Sequence, residues 1–544
     1  MKRIILSLTS ILLLAGCCSK LTTTEVRLTS EAGEKYAEQA PIKFRKGKAP
    51  VALVNINPAD ERQTIDGFGG SLTESSAFVL ACLSPKQRQT VLQELYGEQG
   101  ANFTVSRTQI GASDFSVEGK YSLAEQDGDT ALLSFSLDRD KEGFAQATYP
   151  QIKDEHYDLY HLMHDVMAIK QSQDDQTYRV MANTWTAPAW MKQNKKYYER
   201  ENGFHRGGEL LPQYYQTYAN YLAKYVEAWR AEGLNIWAVT PVNEPMGNDG
   251  GWESMDFSPA VEAEFIAKYL GPTFDARGLS DVAIYGFDQN IFEMGPYTAA
   301  IYGDEAACRY TTGMAVHWYG STIDCFPAVL DSVHALYPCK TIFHSEGCVD
   351  NLGCEPWDGV TDPVGFKESG WFNNDAFWWG ENATDWAYST RWAGNTHPKY
   401  APVHRYARYI IDGMNHWLTG FCDWNIVLDS IGGPNHVNNF AAAPVMVDYG
   451  NDIIYYTPYY YVLKHFSRSM RPGDKVVGCQ VSAISGMPEM LHVCAVKKPN
   501  GVIAINILNR ATEPYSFNLQ LGNYFATIHL PANCVETIEV ELPE

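Results

Sequence analysis

The stretch Ile236-Trp237-Ala238-Val239-Thr240-Pro241-Val242-Asn243-Glu244-Pro245 decides the fold that we predict for this chain. In it, an apolar, strand-like run gives way to a polar loop at a glutamate, and a second run ends in the same way at Phe343-His344-Ser345-Glu346-Gly347. Barrel enzymes keep their chemistry where strands end in loops. Hydrolysis of a glycosidic bond needs two carboxyl groups, because one protonates the leaving oxygen while the other attacks or activates water. Glu244 and Glu346 are therefore the candidate catalytic pair.

The run before Glu244 is one of eight apolar runs that alternate with helical patterns. The predicted strands are residues 64–70, 103–111, 179–185, 236–243, 282–288, 313–319, 341–346 and 420–427. The helical patterns between them include residues 85–95, 157–170, 213–230, 259–270, 326–336 and 403–417. Eight strands, each followed by helix, predict an α/β fold of the (β/α)₈ TIM-barrel type. A doubly wound sheet is the alternative, but no Gly-rich phosphate loop opens a helix.

Beyond residue 470 the pattern changes to short alternating runs, which are typical of an antiparallel sheet. The runs are residues 475–481, 490–497, 501–508, 515–521 and 524–530, and Lys498-Pro499-Asn500-Gly501 separates two of them as a hairpin-type turn. Strands from the segment before the barrel would complete a small antiparallel β-sandwich built from both chain ends. The predicted domains are a signal peptide (1–16), a tether (17–25), the two parts of the sandwich (26–63 and 471–544) and the barrel (64–470).

The first residues have the composition of an export signal. Met1-Lys2-Arg3 precedes an apolar run over residues 4–14, which is too short to span a bilayer as a mature helix. The run ends in Leu14-Ala15-Gly16-Cys17, which resembles a bacterial lipobox, where cleavage precedes the cysteine and its thiol is lipidated. An ordinary signal with a chance cysteine is the alternative. We expect a protein of the bacterial cell envelope, lipid-anchored to the membrane at Cys17, on the periplasmic or outer surface.

Composition argues against nucleic acid as a partner. The formal charge is −22, from 42 basic and 64 acidic residues, and no Lys/Arg run is concentrated, so nucleic-acid binding is not expected. A neutral carbohydrate fits better, and the 14 tryptophans offer rings that stack on sugars.

The 12 cysteines leave an odd number once Cys17 is set aside, and their spacing is not of the structural-zinc type. Buried thiols, or one disulfide, are the expected states.

Two local predictions concern the candidate pair. Pro245 disfavours a helical backbone at the preceding residue, which predicts an extended Glu244. Strand alternation places His344 on the same face as Glu346, so His344 either orients that carboxylate or is a hydrogen-bonded core histidine. Metal-dependent hydrolysis through His317 and His344 is a further alternative, but H-E-x-x-H and comparable ligand motifs are absent from the sequence.

A long region after the seventh predicted strand, residues 349–402, is rich in aromatic and polar residues. Loops of this length inside a compact domain are usually functional or mobile. Its tryptophans are Trp371, Trp378, Trp379, Trp386 and Trp392. They predict a rim of rings that stacks on sugar units or meets a lipid.

Eight motifs occur in order along the predicted barrel. They are Asp66-Gly67-Phe68-Gly69-Gly70-Ser71-Leu72-Thr73, Arg107 with Asp114-Phe115-Ser116, Trp185-Thr186-Ala187-Pro188-Ala189-Trp190-Met191-Lys192, Trp237-Ala238-Val239-Thr240-Pro241-Val242-Asn243-Glu244-Pro245, Val316-His317-Trp318-Tyr319, Ser345-Glu346, Asp423-Trp424-Asn425, and Gly432-Gly433-Pro434-Asn435 through Asn439-Phe440. In these motifs the chain resembles glycoside hydrolase family 30, and especially its glucosylceramidase branch. The sequence departs from the animal enzymes in the longer 349–402 region and at His436, where those enzymes carry a bulkier aromatic.

The resemblance implies hydrolysis with retention of configuration, with Glu244 as acid/base, Glu346 as nucleophile, and no metal or organic cofactor. Retention places the two carboxyl groups about 5 to 5.5 Å apart. The substrate-binding residues implied by the resemblance are Arg107, Asp114, Trp185, Asn243, His317, Tyr319, Trp424 and Asn439.

The leading hypothesis is therefore a retaining β-glucosidase of glucosylceramidase type, acting on a β-glucoside such as glucosylceramide. An endo-β-1,6-glucanase on the same scaffold, with β-glucan as substrate, is the first alternative, because the family includes such enzymes. A carbohydrate-binding surface lipoprotein without catalysis is the second. Two intact candidate glutamates argue against it, since a binding protein does not need both.

Overall fold

The computed structural model describes residues 21–173, 175–199, 207–247, 251–350, 365, 368–380, 400–482 and 490–542. The predicted signal peptide, the lipobox with Cys17, and Trp386 and Trp392 lie outside the described residues. Two hydrophobic cores divide the described chain into a barrel and a sandwich.

The described residues begin in the sandwich. Its first strands are β1 (Leu21–Ser30), β2 (Ala37–Glu38), β3 (Lys43–Lys46) and β4 (Val54–Thr64). Strand β1 starts inside the predicted tether (17–25), so that prediction is wrong from Leu21 onward. The reason is that Leu21 and Thr23 are buried while Thr22 and Thr24 are exposed, an alternation that threonine-rich sequence conceals.

Eight parallel strands form a closed barrel, which confirms the predicted (β/α)₈ fold. They are β5 (Gly67–Leu72), β6 (Val105–Gln109), β7 (Arg179–Asn183), β8 (Ile236–Thr240), β9 (Ala283–Asn290), β10 (Thr311–His317), β11 (Thr341–Glu346) and β12 (Leu418–Asp423). Strand β12 pairs with β5 from Gly420 opposite Gly67 to Asp423 opposite Gly70, and this pairing closes the sheet.

Helices cover the outside of the barrel. Those in the described chain are α1 (Glu74–Ala81), α2 (Pro85–Tyr96), α3 (Leu159–Ser172), α4 (Tyr215–Ala231), α5 (Pro259–Phe265), α6 (Gly271–Ala276), α7 (Met294–Gly303), α8 (Glu305–Tyr310), α9 (Pro327–Leu336), α10 (Asp375–Trp379), α11 (Pro402–Asn415) and α12 (Pro458–Ser469). A π-helical segment, Ile266–Leu270, joins α5 to α6. Short 3₁₀ helices span Asp138–Lys141, Ala189–Met191, Pro212–Tyr214, Ile291–Glu293 and Trp371–Asn373. None of the helices in the described ranges has the length and apolarity required to cross a bilayer.

The barrel interior is packed in layers. A buried apolar cluster fills its lower part, and its members are Val105, Met181, Ala238, Tyr285, Ala315, Phe343 and Cys422. Side chains two positions further along a strand face the same way, so Arg107, Asn183 and Thr240 occupy the next layer up. The interior therefore changes from apolar to polar just below the carboxyl ends of the strands.

A three-stranded sheet follows the barrel strands and was not predicted. It comprises β13 (Val427–Asp429), β14 (Val445–Asp448) and β15 (Ile453–Tyr456), in that order. The sandwich is then completed by β16 (Lys475–Val481), β17 (Leu491–Lys497), β18 (Val502–Asn509), β19 (Tyr515–Leu521), β20 (Tyr524–Leu530) and β21 (Cys534–Glu541).

Both chain ends build the sandwich, as predicted. Strand β21, which sequence analysis missed because its glutamates mask the pattern, lies between β1 and β18. Helix α12 connects this domain to the barrel, since the buried His465 ring contacts the Thr29 and Thr537 hydroxyls at 2.9 and 2.7 Å. The nine cysteines within the described residues are free thiols.

Candidate active site

Glu244 lies in the loop that follows β8, and its backbone differs from the prediction. The residue has a φ of +50°, in the left-handed region, rather than an extended conformation. Its N–H donates to the carbonyl of Asp288 at 3.0 Å, and this cross-strand bond holds the turn. Proline at the next position disfavours the helical region and favours an extended backbone, so tertiary contacts override that local preference at Glu244. Non-glycine residues with positive φ are uncommon and often occur at functional sites.

Glu346 is the last residue of β11, and both of its carboxylate oxygens accept hydrogen bonds. Arg107 donates from Nη1 to Oε2 at 2.5 Å, and the Tyr319 hydroxyl donates to Oε1 at 3.0 Å. The Glu346 side chain is 7% exposed, so these donors replace the water that would otherwise solvate its charge. Together they hold both oxygens of the Glu346 carboxylate in place.

The two glutamates share one pocket. One carboxylate oxygen from each of them, together with a ring nitrogen of His317, lies within 4.8 Å of the others. This distance fits the spacing of about 5 to 5.5 Å found in retaining glycosidases, and it is well below the roughly 6.5 to 9.5 Å of inverting ones.

Asp288, near the end of β9, is the centre of the site and was missed by sequence analysis. Its carboxylate accepts hydrogen bonds at 2.6 to 3.1 Å from five side chains, those of Arg107, Asn183, Thr240, Ser345 and His317. Although the residue is buried, Arg107 and His317 hold its pKa well below the usual range. The sequence signal that could have identified Asp288 is its place as an acidic residue at the end of the fifth predicted strand.

His317 bridges Asp288 and Glu244. Its Nε2 lies 3.1 Å from Asp288 Oδ1, and its Nδ1 lies 3.3 Å from Glu244 Oε1. Both partners are carboxyl oxygens, so a doubly protonated ring can donate to both of them. Burial opposes that charge, but the negative charge of Glu346 and the bonds to Asp288 and Glu244 outweigh it and raise the pKa of His317 to about 9.

Glu244 differs from Glu346 in its surroundings. Burial raises the pKa of Glu244 above its ordinary value, and the charges of Glu346 and Asp288 act in the same direction, while His317 opposes the shift. The site can therefore hold Glu244 protonated beside an ionised Glu346.

Two tryptophans form one wall of the pocket. The rings of Trp185 and Trp424 stack with centroids 5.0 Å apart, and the Arg107 guanidinium lies over them at 4.7 and 5.4 Å. Arg107 also donates from Nη2 to Asn243 Oδ1 at 2.6 Å. This cation thus orients the amide next to Glu244 and the carboxylate of Glu346 together.

Asp114 and Asn439 form a second wall, where Asn439 Nδ2 donates to Asp114 Oδ2 at 3.0 Å. Burial raises the pKa of Asp114, and the charges of Glu346 and Glu244 raise it further, because both lie near it. Every residue predicted to bind substrate therefore lies around the candidate pair.

Glu244, His317 and Glu346 also form the cluster of metal-ligand type found among the described residues. A cation there would compete with Arg107 for Glu346 and with the ring protons of His317 for the carboxylates. The donors present thus fit a network of protonated and ionised side chains, and they do not fit a metal centre.

Family models match both the barrel and the sandwich of this chain. Residues 65–366 and 375–470 match the model of the glycosyl hydrolase family 30 TIM-barrel domain, and residues 476–538 match that of the glycosyl hydrolase family 30 beta sandwich domain. The chain belongs to glycosyl hydrolase family 30. It is a glycoside hydrolase, and the non-catalytic alternative is set aside.

Relatives within family 30 have more than one activity. The chain is 28% identical over 464 residues to the lysosomal acid glucosylceramidase of Mus musculus, covering 85% of this chain and 78% of that protein. It is 24% identical over 428 residues to an endo-1,6-beta-D-glucanase of Neurospora crassa, covering 78% and 74%. The crystal structure of SrfJ from Salmonella typhimurium superposes with a TM-score of 0.76 at 24% identity, covering 96% and 100%.

His344 does not orient Glu346, so the first of the two roles predicted for it is wrong. Its ring stacks on Phe421 with centroids 4.2 Å apart, and its Nδ1 lies 2.9 Å from the Tyr409 hydroxyl. The pairing of β10 with β11 shifts register before Glu346, so strict alternation fails there. His344 is a core histidine outside the barrel wall and shares no site with His317.

The prediction that tryptophans form a substrate-binding rim is wrong for the three of them that the structure describes. Trp371, Trp378 and Trp379 are only 4%, 0% and 8% exposed. Trp378 packs on Tyr459 of α12 with ring centroids 5.4 Å apart. Their helix and the 3₁₀ turn before it pack against the helix layer, so these rings belong to the core.

Other apolar side chains are exposed at the mouth of the family 30 barrel. Met246, Phe292 and Ile323 are 46%, 36% and 47% exposed, and they lie in the loops that follow β8, β9 and β10. These strands are neighbours, so the three loops lie side by side at the carboxyl end of the barrel. Sequence analysis did not single them out.

Proposed function

We propose that this protein is a retaining β-glucosidase of glucosylceramidase type, with Glu244 as acid/base and Glu346 as nucleophile. The observation that carries the proposal is the short distance between one oxygen of each carboxyl group, within 4.8 Å, in contrasting surroundings. One carboxyl group is raised in pKa, and the other accepts bonds from an arginine and a tyrosine. Such a separation of protonation states assigns the roles in glycoside hydrolysis.

In the first step, Glu346 attacks the anomeric carbon while Glu244 gives its proton to the glycosidic oxygen. Arg107 and Tyr319 hold the Glu346 oxygens in place before attack. Asn243 accepts the Arg107 bond through its Oδ1, so its amide NH₂ remains as the donor for the sugar 2-hydroxyl. Bonds to that hydroxyl strengthen in the transition state.

In the second step, water releases the sugar from Glu346. The covalent bond has removed the negative charge of Glu346, and this charge is one of those that raise the pKa of Glu244. The pKa of Glu244 therefore falls when the glycosyl-enzyme forms, and His317 stabilises the resulting carboxylate from 3.3 Å. Glu244 can then accept a proton from the attacking water.

The exposed apolar residues favour an apolar aglycone. Met246, Phe292 and Ile323 line the mouth, where a lipid would leave the glucose pocket. The tryptophans that a glucan would stack on are buried where the structure describes them. Similarity over most of the chain to a lysosomal acid glucosylceramidase points the same way. An endo-β-1,6-glucanase is the second candidate, supported by similarity to the Neurospora crassa glucanase.

The two candidates separate on substrate. Purified protein is incubated with glucosylceramide in detergent micelles and, in parallel, with β-1,6-glucan, and the products are resolved by mass spectrometry. We expect glucose and ceramide from the lipid and little release from the glucan. Oligosaccharides from the glucan with the lipid untouched would reject the glucosylceramidase assignment. Glu346→Gln serves as the blank for both substrates.

We also propose that the protein is a lipoprotein of the bacterial envelope, anchored through Cys17. The support is the sequence Leu14-Ala15-Gly16-Cys17 after a short apolar run. Expression in a bacterial host with a labelled fatty acid should label the wild type in the membrane fraction. Cys17→Ser should be unlabelled and move to the soluble fraction. An equally labelled Cys17→Ser would reject this anchor.

A further inference from the structure

His436 makes contacts that the mechanism above does not use. It lies between β13 and β14, in the region that follows barrel strand β12, three residues before Asn439, and its ring is bonded on both sides. Nδ1 donates to the carbonyl of Ser116 at 2.8 Å, and Nε2 lies 3.1 Å from Glu253 Oε2. The backbone N–H of His436 donates to the same Ser116 carbonyl at 3.1 Å. Both ring nitrogens face acceptors, so a doubly protonated ring satisfies both.

Glu253 is the partner that joins a third loop to this contact. It belongs to the segment after β8 that also carries Glu244, and its side chain is fully buried. While Oε2 meets His436, Oε1 accepts the N–H of Lys120 at 2.6 Å. The carboxylate therefore ties the loop after β8 to the loops after β6 and β12.

Gly119 allows this close packing. Its φ is +68°, and a β-carbon added there would lie 2.2 to 2.4 Å from atoms of the His436 ring. The ring thus lies flat on the backbone of the loop that carries Asp114. No side chain larger than hydrogen fits beneath it, so the position of the ring is fixed from below as well as from its two edges.

The bonds from His436 to Ser116 and Glu253, called the clamp from here on, act on one wall of the sugar pocket. Asn439 donates to Asp114 at 3.0 Å, and these residues lie within three positions of His436 and Ser116 respectively. Asn435, next to His436, accepts the N–H of Asn439 at 3.0 Å. Movement of the His436 ring would therefore separate the Asp114–Asn439 pair that faces the catalytic carboxyl groups.

We propose that His436, held as an imidazolium between Ser116 and Glu253, is a positioning residue that fixes the Asp114–Asn439 wall of the glucose subsite. It touches no reacting atom and acts through the two loops that it joins. The inference deepens the proposed function and rests on it for the identity of the sugar.

The proposal makes sugar binding depend on pH. The titratable groups that act on the ring are the acids Glu253, Asp114 and Glu74, and the Tyr198 ring lies next to it. Of the nearby lysines, Lys192 faces Glu253 and Lys120 lies over Tyr198. Burial opposes the charge of His436, but the bond to Glu253 and its charge raise the pKa above the ordinary 6.5. The clamp is therefore complete at pH values below 6.5 and is lost as pH rises through the raised pKa.

The test measures KM and kcat for an aryl β-glucoside, and the inhibition constant of glucose, from pH 5 to 9. Glucose is neutral, so its own titration does not contribute. We expect the wild-type inhibition constant to rise above the pKa of His436. His436→Gln should raise KM and the inhibition constant about tenfold to a hundredfold at pH 6, with a smaller effect on kcat and no further rise at alkaline pH.

Glu253→Gln provides the second variant, because it removes the charge that raises the pKa of His436. The rise in the inhibition constant should move to lower pH, an effect that loss of structure alone would not produce. His416→Gln is the matched control. His416 pairs with Asp331 at 3.0 Å at the end of α11, away from the pocket, and its removal should leave KM unchanged.

A wild-type KM and pH dependence in His436→Gln would overturn the proposal, as would a lower melting temperature with unaltered KM. If His436→Gln does not fold, Glu253→Gln and the wild-type pH profile decide. If the wild type neither cleaves nor binds glucosides, the proposed function fails. The clamp is then judged by hydrogen exchange of residues 113–120 and 432–440, which must increase in Glu253→Gln.

Discussion

A carboxylate oxygen of Glu244 lies within 4.8 Å of a carboxylate oxygen of Glu346, although Glu244 lies in the loop after β8 and Glu346 is the last residue of β11. This proximity is maintained by cations rather than by direct contact. Arg107 binds Glu346, and His317 binds Glu244, while Asp288 holds both cations from below. Like charges at this distance repel, so the arrangement is stable when Glu244 is protonated or when the cations compensate for it.

Azide should reveal which carboxyl group is which. In Glu346→Gly the proposed nucleophile is missing, so azide should attack the glucoside from that side and the product should be the α-glucosyl azide. In Glu244→Gly, assayed with a dinitrophenyl glucoside that needs no acid, azide should intercept the glycosyl-enzyme and give the β-anomer. The anomeric proton coupling in NMR distinguishes them. The opposite pairing of variant and anomer would exchange the two roles.

The alkaline limb of the pH profile should follow Glu244. The acid must be protonated in the free enzyme, so kcat/KM should fall as pH rises through its raised pKa, above the ordinary 4.5. His317→Asn removes a cation that lowers this pKa, and the limb should move to higher pH. His416→Gln should leave it in place. A limb that moves to lower pH in His317→Asn would contradict this account of Glu244.

Asp288→Asn should be strongly destabilising. The change leaves two buried cations, Arg107 and His317, without their shared anion, which costs about 3 to 5 kcal/mol of unfolding free energy. Asp281→Asn is the control, since Asp281 pairs with Arg230 on the surface and should cost less than about 1 kcal/mol. Urea unfolding measures both. Equal effects of the two substitutions would show that Asp288 does not balance these charges.

The stabilisation by Asp288 should also depend on pH. Its folded pKa is depressed, so the contribution is present above the unfolded value of 3.8 and declines as pH falls below it. The difference in unfolding free energy between the wild type and Asp288→Asn should therefore narrow below pH 4.

Glu262 should tolerate glutamine but not alanine. Its Oε1 accepts the N–H of Phe287 at 2.8 Å, at the bend where Phe287 and Asp288 both have positive φ. Burial raises the pKa of Glu262 to about 8, so the side chain is neutral at pH 6. Glu262→Gln keeps the acceptor and should cost under about 1 kcal/mol, whereas Glu262→Ala should cost about 2 to 5 kcal/mol and reduce kcat.

The pH dependence of the wild type adds a second check on Glu262. Its contribution is complete below the unfolded pKa of 4.5 and is lost as pH rises through about 8. The wild type should therefore lose stability relative to Glu262→Gln between pH 6 and 9. A constant difference over that interval would contradict a neutral Glu262.

Trp378→Ala should reduce stability and leave sugar binding unchanged. The ring is fully buried against Tyr459, and its removal should cost about 3 to 5 kcal/mol. KM for an aryl glucoside should equal that of the wild type. Trp417→Ala, which removes a half-buried ring stacked on His334, should cost less. A higher KM without loss of stability would show that Trp378 contacts the substrate and is not a core residue.

Sequence reasoning succeeded where a pattern is local. The alternation of apolar runs and helical periods predicted each barrel strand, because burial on both faces leaves a continuous apolar signal. Its failures have physical causes. Polar residues hid the start of β1 and the whole of β21, where threonine and glutamate carry the alternation. Phe343 and Ser345 face the barrel interior, so His344 faces outward, and the register shift before Glu346 breaks the alternation that would have put Glu346 on the side of His344. Trp378 lies in a short helix that packs against the helix layer, which buries its ring.

By itself, the sequence determined the barrel, the sandwich from both chain ends, and the two glutamates at strand ends, because periodicity and motifs are properties of neighbouring residues. Only the tertiary structure decided the electrostatics. Arg107, Asp288 and His317 come from three strands, and their charges act on Glu244 and Glu346 through space. The same holds for His436, whose partners Ser116 and Glu253 are remote in the chain. Protonation states depend on burial and on the charges nearby, and folding alone brings these together.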